Sequence, residues 1–250
     1  MKGVDISHYQ KGLSIKQIKD AGCDFAIIKL TEGNFLIDSA AFGFYHEAFT
    51  TGFPVGCYCY SHATTAEQAR REAEFLLKTI NGFPMPCGVF LDVEEPKMLG
   101  LGYEHIMSVL TTWCDTIKAA GYVPGVYGSE YNLWAKVSPE DLPTDTIVWV
   151  AHYGKQPDVA CDLWQSSDSG SVPGYKGNVD TDEVRSGYFE GRVLRGYKAE
   201  PDKPSDTDHF AEARNIPGIT EALGLLADYI KTDEFKNGFL AYIAREEKQK

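Results

Sequence analysis

An apolar run, Gly88-Val89-Phe90-Leu91, ends in Asp92-Val93-Glu94-Glu95-Pro96, so a segment composed like a buried strand finishes in three carboxylates. Alternate residues of a strand share a face, which puts Asp92 and Glu94 on one side and Val89, Leu91 and Val93 on the other. Two acids crowded at one strand end repel, and at least one is pushed toward keeping its proton near neutrality beside an ionised partner. A proton donor next to a carboxylate is the equipment for cleaving a bond between sugars. The plainer alternative is a surface strand end followed by a solvated acidic turn, with Pro96 stopping the pairing.

Such a pair needs a scaffold that holds strand ends together, and the order of segments supplies one. Strand-like stretches at Val4 to Ile6, Phe25 to Leu30, Pro54 to Tyr60, Gly88 to Val93 and Tyr122 to Tyr127 alternate with helical patterns at Ser14 to Ala21, Ser39 to Thr51, from a cap at Thr64 or Thr65 to Ile80, and at Tyr103 to Ala120. This is the signature of βα units around a parallel sheet. Beyond Tyr127 the rhythm changes. A short helix is expected near Glu130 to Ala135, then strands at Ile147 to Ala151, Asp162 to Gln165 and Asn178 to Val184, with little room for helices between the last two. The fold class is α/β: a modified (β/α) barrel of five βα units completed by extra β-strands, with a small C-terminal helical segment.

In such barrels the reactive groups stand at the C-terminal ends of the strands. Those ends carry Thr31-Glu32, Tyr58-Cys59-Tyr60, Asp92-Val93-Glu94, Tyr127 and Trp149. Aromatic faces stack on pyranose rings and carboxylates take hydroxyls, so this inventory suits a saccharide. No Gly-rich phosphate loop is present. Each aromatic taken singly is as well read as barrel filling; the set is what points to a sugar. Asp5, in an otherwise apolar first strand, is a buried carboxylate that needs partners. His62 and His152 are read as hydrogen-bonded structural residues.

Composition narrows the partners. The chain has 250 residues, 43% of them hydrophobic, enough for a sizeable core, and a formal charge of -12 that argues against nucleic acid or an anionic membrane. Six cysteines show no C-x-x-C spacing and lie in apolar stretches, so they read as buried free thiols of a chain made for a reducing compartment. No metal and no cofactor is implied. No cationic, apolar leader precedes the first strand, and no apolar run reaches membrane-spanning length.

With these residues assembled, the chain closely resembles the lysozymes of glycoside hydrolase family 25, the N-acetylmuramidases of bacteria, fungi and phage endolysins. The resemblance spans about residues 1 to 190. It rests on Gly3-Val4-Asp5-Ile6-Ser7, the Phe25 to Gly33 segment ending Lys-Leu-Thr-Glu-Gly, Val55-Gly56-Cys57-Tyr58, the Asp92-Val93-Glu94 pair, and Trp164-Gln165 followed by Gly177-Asn178-Val179-Asp180. It implies peptidoglycan as substrate, cut at the β-1,4 bond between N-acetylmuramic acid and N-acetylglucosamine. It also implies Glu94 as general acid and Asp92 as the neighbour that stabilises positive charge or orients the acetamido group. Asp5 and Asp180 are implied as flanking acids with Glu32 beside them, and Tyr58, Tyr60, Tyr127 and Trp149 as sugar contacts. Asp182 departs from the commonest family pattern, which has Asn there. Two alternatives stand beside this assignment: a glycan-binding barrel that has lost catalysis, and a chitinase-like glycosidase. The second wants a longer run of acids, and Phe90 stands where one of them belongs.

The resemblance also carries a setting: a phage or prophage endolysin, made in the bacterial host cytoplasm and acting on the cell wall after release. Residues 1–195 form the catalytic barrel in this division, 196–208 a polar, proline-bearing linker, and 209–250 a helical segment. In the last, Ile219, Leu223, Leu226 and Ile230, then Phe235, Phe239, Tyr242 and Ile243, recur at helical spacing. Some 40 residues rarely hold a core alone. Self-association into a homo-oligomer or cell-wall targeting is the role expected of it.

Overall fold

The structure, a computed structural model, describes residues 1–196. The expected linker beyond Gly196 and the helical segment at 209–250 lie outside the described residues.

The chain order is β1 (Lys2–Ile6), α1 (Ile15–Asp20), β2 (Phe25–Glu32), β3 (Leu36–Ile37), α2 (Ala41–Thr51), β4 (Val55–Tyr60), α3 (Ala66–Ile80), β5 (Val89–Asp92), α4 (Pro96–Leu99), α5 (Tyr103–Ala119), β6 (Pro124–Ser129), β7 (Ile147–Ala151), β8 (Leu163–Gly170), β9 (Val179–Val184) and α6 (Gly187–Arg195). The strands lie in the order β1-β9-β8-β7-β6-β5-β4-β2-β3, and β1 also pairs with β2. Leaving out β3, a short antiparallel extension of β2, the remaining eight close into a ring. All neighbours from β1 through β2, β4, β5, β6 and β7 to β8 are parallel. β9 closes the ring antiparallel to both β8 and β1. The modified barrel expected from the segment order is therefore the fold.

Local chemistry explains where the helices start and stop. Ser14 and Gln17 form a reciprocal capping box on α1, and Thr65 accepts the Gln68 amide to cap α3. Gly52 and Asn81 end α2 and α3 in the left-handed conformation. The short helix expected at Glu130 to Ala135 is instead a run of turns, followed by a 3-10 turn at Pro139–Asp141. The amides of Leu133 and Trp134 both fold back on the Ser129 carbonyl, and the Trp134 indole donates to Gly128 and Trp149 carbonyls, so a compact knot replaces a helical crossover.

Two apolar layers result. Outward residues such as Ile28, Leu30, Cys57, Leu91 and Val126 pack against the helices, while inward Phe25, Ile27, Phe90, Ile147 and Leu163 fill the barrel. Glycines make room for these rings: a Cβ at Gly3 would sit 2.3 Å from the Phe25 ring, and one at Gly125 would sit 2.2 Å from Phe90. The helix α6, absent from the sequence expectation, plugs the barrel floor. Ser186 caps it, and Phe189, fully buried, meets Phe25 edge-on at 5.3 Å. Burying such a ring stabilises the fold by roughly 1.5–3 kcal/mol. The opposite end, where the parallel strands finish, is left to polar groups.

Candidate active site

Strand alternation sorts the inward side chains by height. Two residues beyond each floor residue, toward the strand ends, stands a polar one: Asp5 after Gly3, Lys29 after Ile27, Asp92 after Phe90, Tyr127 after Gly125, Gln165 after Leu163. β9 runs the other way, so its first residues reach the same end. The antiparallel register sets Asp180 opposite Asp5 and Asp182 opposite Gly3.

Asp5, Asp92 and Asp182 are buried, Asp180 is half-buried, and Glu94 lies one step past the end of β5 with exposed surface. All five carboxyls are held above the usual carboxylate range, with lost hydration the leading cause in each. Glu94 remains in contact with water at the rim, yet its carboxyl rests against the cleft wall and is partly stripped of solvent. Repulsion adds to burial: Glu94 raises Asp92, Asp182 and Asp180 raise Asp5, and Asp168 and Glu94 help lift Asp180 to about 6. The Glu94 charge adds to burial in holding Asp92 above its ordinary range, so ionising both carboxyls costs more than ionising either alone.

Lys29 opposes the repulsion. Buried on β2, its ammonium donates to Glu32 Oε2 at 2.7 Å and lowers both Asp92 and Glu94. It also lies 5.1 Å from the Tyr60 ring centre. Glu32 is held below its ordinary range by this ammonium first, and by His62, whose Nε2 is 3.1 Å from Glu32 Oε1. The other His62 nitrogen is 3.0 Å from Glu95 Oε2, so the ring ties the ends of β2, β4 and β5 together, as a structural histidine does.

The aromatics divide. Tyr60 is half-buried at the rim, its hydroxyl pushed up to about 12 by burial and by Asp92 and Glu94. Tyr58 is half-buried and meets Trp149 edge-on at 6.4 Å. Tyr127 is buried but its hydroxyl reaches Glu94 Oε1 at 3.3 Å and Gln165 Oε1 at 2.9 Å. Trp149, only 2% exposed, offers no face for stacking; it packs on Phe90 and Tyr127 and its indole N–H donates to Asp182 Oδ1 at 2.9 Å. The barrel thus brings together Asp5, Asp92, Glu94 and Asp180, sets Glu32, Tyr58, Tyr60 and Tyr127 around them, and places Trp149 beneath.

Four further residues, Gln165, Tyr153, Asp182 and Lys29, belong to this cluster and were given no role from sequence. Gln165 Nε2 donates to Asp5 Oδ2 at 2.8 Å, and the Tyr153 hydroxyl donates to Gln165 Oε1 at 2.9 Å. Asp182 Oδ2 and Asp92 Oδ1 are buried with no N–H or hydroxyl donor among the described residues. Lys29 carried a usable signal, since a lysine inside an apolar strand must find an anion. Tyr153, two residues past the end of β7, carried the strand-end signal. Among the described residues no group of His, Cys, Asp and Glu is arranged to hold a metal ion, and no helix is long and apolar enough to cross a membrane. The cysteines are free, four of them buried.

A set of mutually repelling acids held above their ordinary range at the open end of a barrel can protonate a leaving oxygen and stabilise the cation left behind. Comparison with known proteins reaches the same chemistry independently. The family model for glycosyl hydrolases family 25 matches residues 4–175, more than half of the chain. An autolytic lysozyme of Clostridium acetobutylicum is 32% identical over 197 residues, covering 78% of this chain, which itself spans 59% of that protein's length. The bacterial lysozyme of Streptomyces coelicolor superposes with a TM-score of 0.68 at 24% identity, over 80% of this chain and 98% of that one. The catalytic domain of endolysin ply40 from bacteriophage P40 of Listeria monocytogenes does so with a TM-score of 0.68 at 21% identity, over 77% and 97%. At such identities the two structures speak for the fold alone, while the family match over residues 4–175 shows that this chain belongs to glycosyl hydrolase family 25.

Proposed function

We propose that this chain is a peptidoglycan hydrolase of the lysozyme type, a 1,4-β-N-acetylmuramidase with Glu94 as general acid. The observation that carries this is the Asp92–Glu94 pair: both carboxyls are raised, yet only Glu94 meets solvent at the rim, where a glycosidic oxygen can approach. Asp92 lies deeper and serves as the anion that steadies positive charge at the anomeric carbon or aligns the acetamido group of the sugar. Asp5 and Asp180 flank the pair; Tyr58, Tyr60 and Tyr127, with Glu32 behind Lys29, line the approach. A similar autolytic lysozyme supports peptidoglycan as the polymer. A barrel kept only to bind glycan gains nothing from crowded acids, since each carries a desolvation penalty.

Retention of configuration is the outcome we infer, with Glu94 acting first as acid and then as base, and participation of the acetamido group as the route. NMR of the fresh product decides it: the β-anomer appears first if configuration is retained, and prompt α-anomer rejects this mechanism. Action at the cell wall, a phage or prophage origin, and a self-associating or wall-targeting role for residues 209–250 complete the proposal. The decisive experiment incubates the wild type and Glu94→Gln with purified peptidoglycan and reads new reducing ends by mass spectrometry. Muramic acid ends that vanish with the variant are expected; N-acetylglucosamine ends mean a different glycosidase.

A further inference from the structure

The buried carboxamide of Gln165 joins more of the site than any other group described, and the chemistry above makes no use of it. Its Nε2 donates to Asp5 Oδ2 at 2.8 Å, while its Oε1 accepts the hydroxyls of Tyr127 and Tyr153, each at 2.9 Å. A carbonyl oxygen has two lone pairs, so this acceptor is filled. Tyr127 has one hydroxyl proton and a second acceptor within reach, Glu94 Oε1 at 3.3 Å. It can serve only one of them fully at a time. The shorter contact is the one to Gln165.

We propose that Gln165 is a positioning residue for the catalytic acid: it draws the Tyr127 hydroxyl away from Glu94 while Glu94 carries a proton, and releases it when Glu94 becomes a carboxylate. This rests on the muramidase reading and deepens it. As the glycosidic bond breaks, its electron pair stays on the leaving oxygen, which takes the proton of Glu94, and the substrate's acetamido oxygen bonds to the anomeric carbon in its place. The Tyr127 hydroxyl, keeping its own hydrogen, then turns to the new carboxylate. In the second half-reaction water's oxygen bonds to the anomeric carbon as the bond from the acetamido oxygen breaks and its electron pair returns to the acetamido group; water's proton goes to Glu94, and the Tyr127 hydroxyl returns to Gln165. A hydrogen bond to the ionised form favours that form, which matches the lowering of Glu94 by Tyr127.

Other groups also bear on Glu94. These are Lys29 from β2, Tyr60 from β4, Asp92 on its own strand, Tyr153 after β7 and Asp180 from β9, with Glu32 acting on Asp92 and Asp5 from β1 on the far side of Gln165. None of these is substituted below; Gln165→Met also takes the amide's bonds from Asp5 and Tyr153, and the double variant, which loses the same bonds but has no Tyr127 hydroxyl, separates that loss from the Tyr127 proton.

The test is the pH profile of kcat/KM on solubilised peptidoglycan for the wild type, Gln165→Met, Tyr127→Phe and the double variant. Loss of the amide leaves the hydroxyl to Glu94, so the alkaline limb of Gln165→Met moves to lower pH, by about one pH unit for one hydrogen bond to a charged group. Loss of the hydroxyl moves the limb of Tyr127→Phe to higher pH, and the double variant follows Tyr127→Phe. A merely structural role lowers kcat/KM at every pH and moves neither limb. Limbs that stay put, that shift together, or a double variant that keeps the Gln165→Met shift overturn the proposal. If near-UV circular dichroism finds Gln165→Met unfolded, Gln165→Asn, whose shorter arm cannot span both contacts, gives the same comparison. Activity surviving in Glu94→Gln refutes the muramidase assignment of the acid instead, whereas an inactive Glu94→Gln with unmoved limbs refutes only the role of Gln165.

Discussion

Asp92 and Phe90 sit two residues apart on β5, face the same interior, and live in opposite environments. Phe90 meets Trp149 at 5.1 Å between ring centres and closes over Gly125, among Ile27, Ile147 and Leu163, with α6 beneath. Asp92 is also buried, but one of its oxygens has no donor among the described residues and its neighbours are Glu94, Glu32 and Lys29. The same shift of two residues separates Leu163 from Gln165 and Gly3 from Asp5. One strand alternation therefore builds both a packed floor and a charged ceiling, and the floor makes the ceiling tolerable. Carboxyls that repel and lose water are held together by apolar burial a few ångströms below them.

If that division holds, activity and stability come apart by layer. Glu94→Gln should lower kcat by about 10²–10⁴-fold, the usual worth of a positioned acid, with little change in the urea midpoint. Phe90→Ala should do the reverse, removing about 3–5 kcal/mol of stability while the fraction that remains folded keeps its pH profile. Equal losses of both properties in either variant would erase the boundary.

Lys29→Met probes the ceiling's own balance. Removing the ammonium leaves Glu32 without its first partner and raises Asp92 and Glu94 further, so the whole pH profile should move toward alkaline values. On the acid side kcat/KM should fall by about tenfold for each pH unit that the profile moves. A profile moving toward acid would contradict the assigned role of this cation.

Asp182 links the layers. Its carboxyl is raised well above the ordinary range by burial, so the fold retains a proton that the unfolded chain releases above pH about 4. The folded state then binds more protons, and stability falls as pH rises toward the folded pKa. Asp182→Asn should flatten that fall and match the wild type at the most acidic pH; urea midpoints from acid to neutral pH give the comparison. A steeper slope in the variant would mean that the carboxyl is ionised in the fold. The smallest effect is expected at the floor's edge, where Ser186 accepts the Phe189 amide at 3.2 Å and Ser186→Ala should cost about 1 kcal/mol in denaturant melts without touching catalysis.

Much of this was legible in the order of residues alone. The alternation in Gly88 to Glu94 located the acid pair and the face it shares, the caps Ser14, Thr65 and Gly52 delimited helices, and the loss of helical pattern after Tyr127 pointed to a barrel completed by strands. The misjudged short helix at Glu130 to Ala135 has a physical cause. Its amides are claimed by the Ser129 carbonyl and its tryptophan by carbonyls of two other strands, none of which local propensity registers. Plug helix α6 went unread because its apolar face is only Phe189 and Val193, too short a pattern to stand out.

By itself, then, the amino-acid sequence determined strand faces, helix limits and which carboxyls end on a common side, because these follow from contacts within a few residues of chain. Only ring closure decided that Asp180, 175 residues from Asp5, should stand opposite it, that Lys29 should be the counter-ion, and that Gln165 should hold Asp5 and Tyr127 at once. Those are pairings between distant strands, and the raised carboxyl pKa values follow from the water that closure excludes.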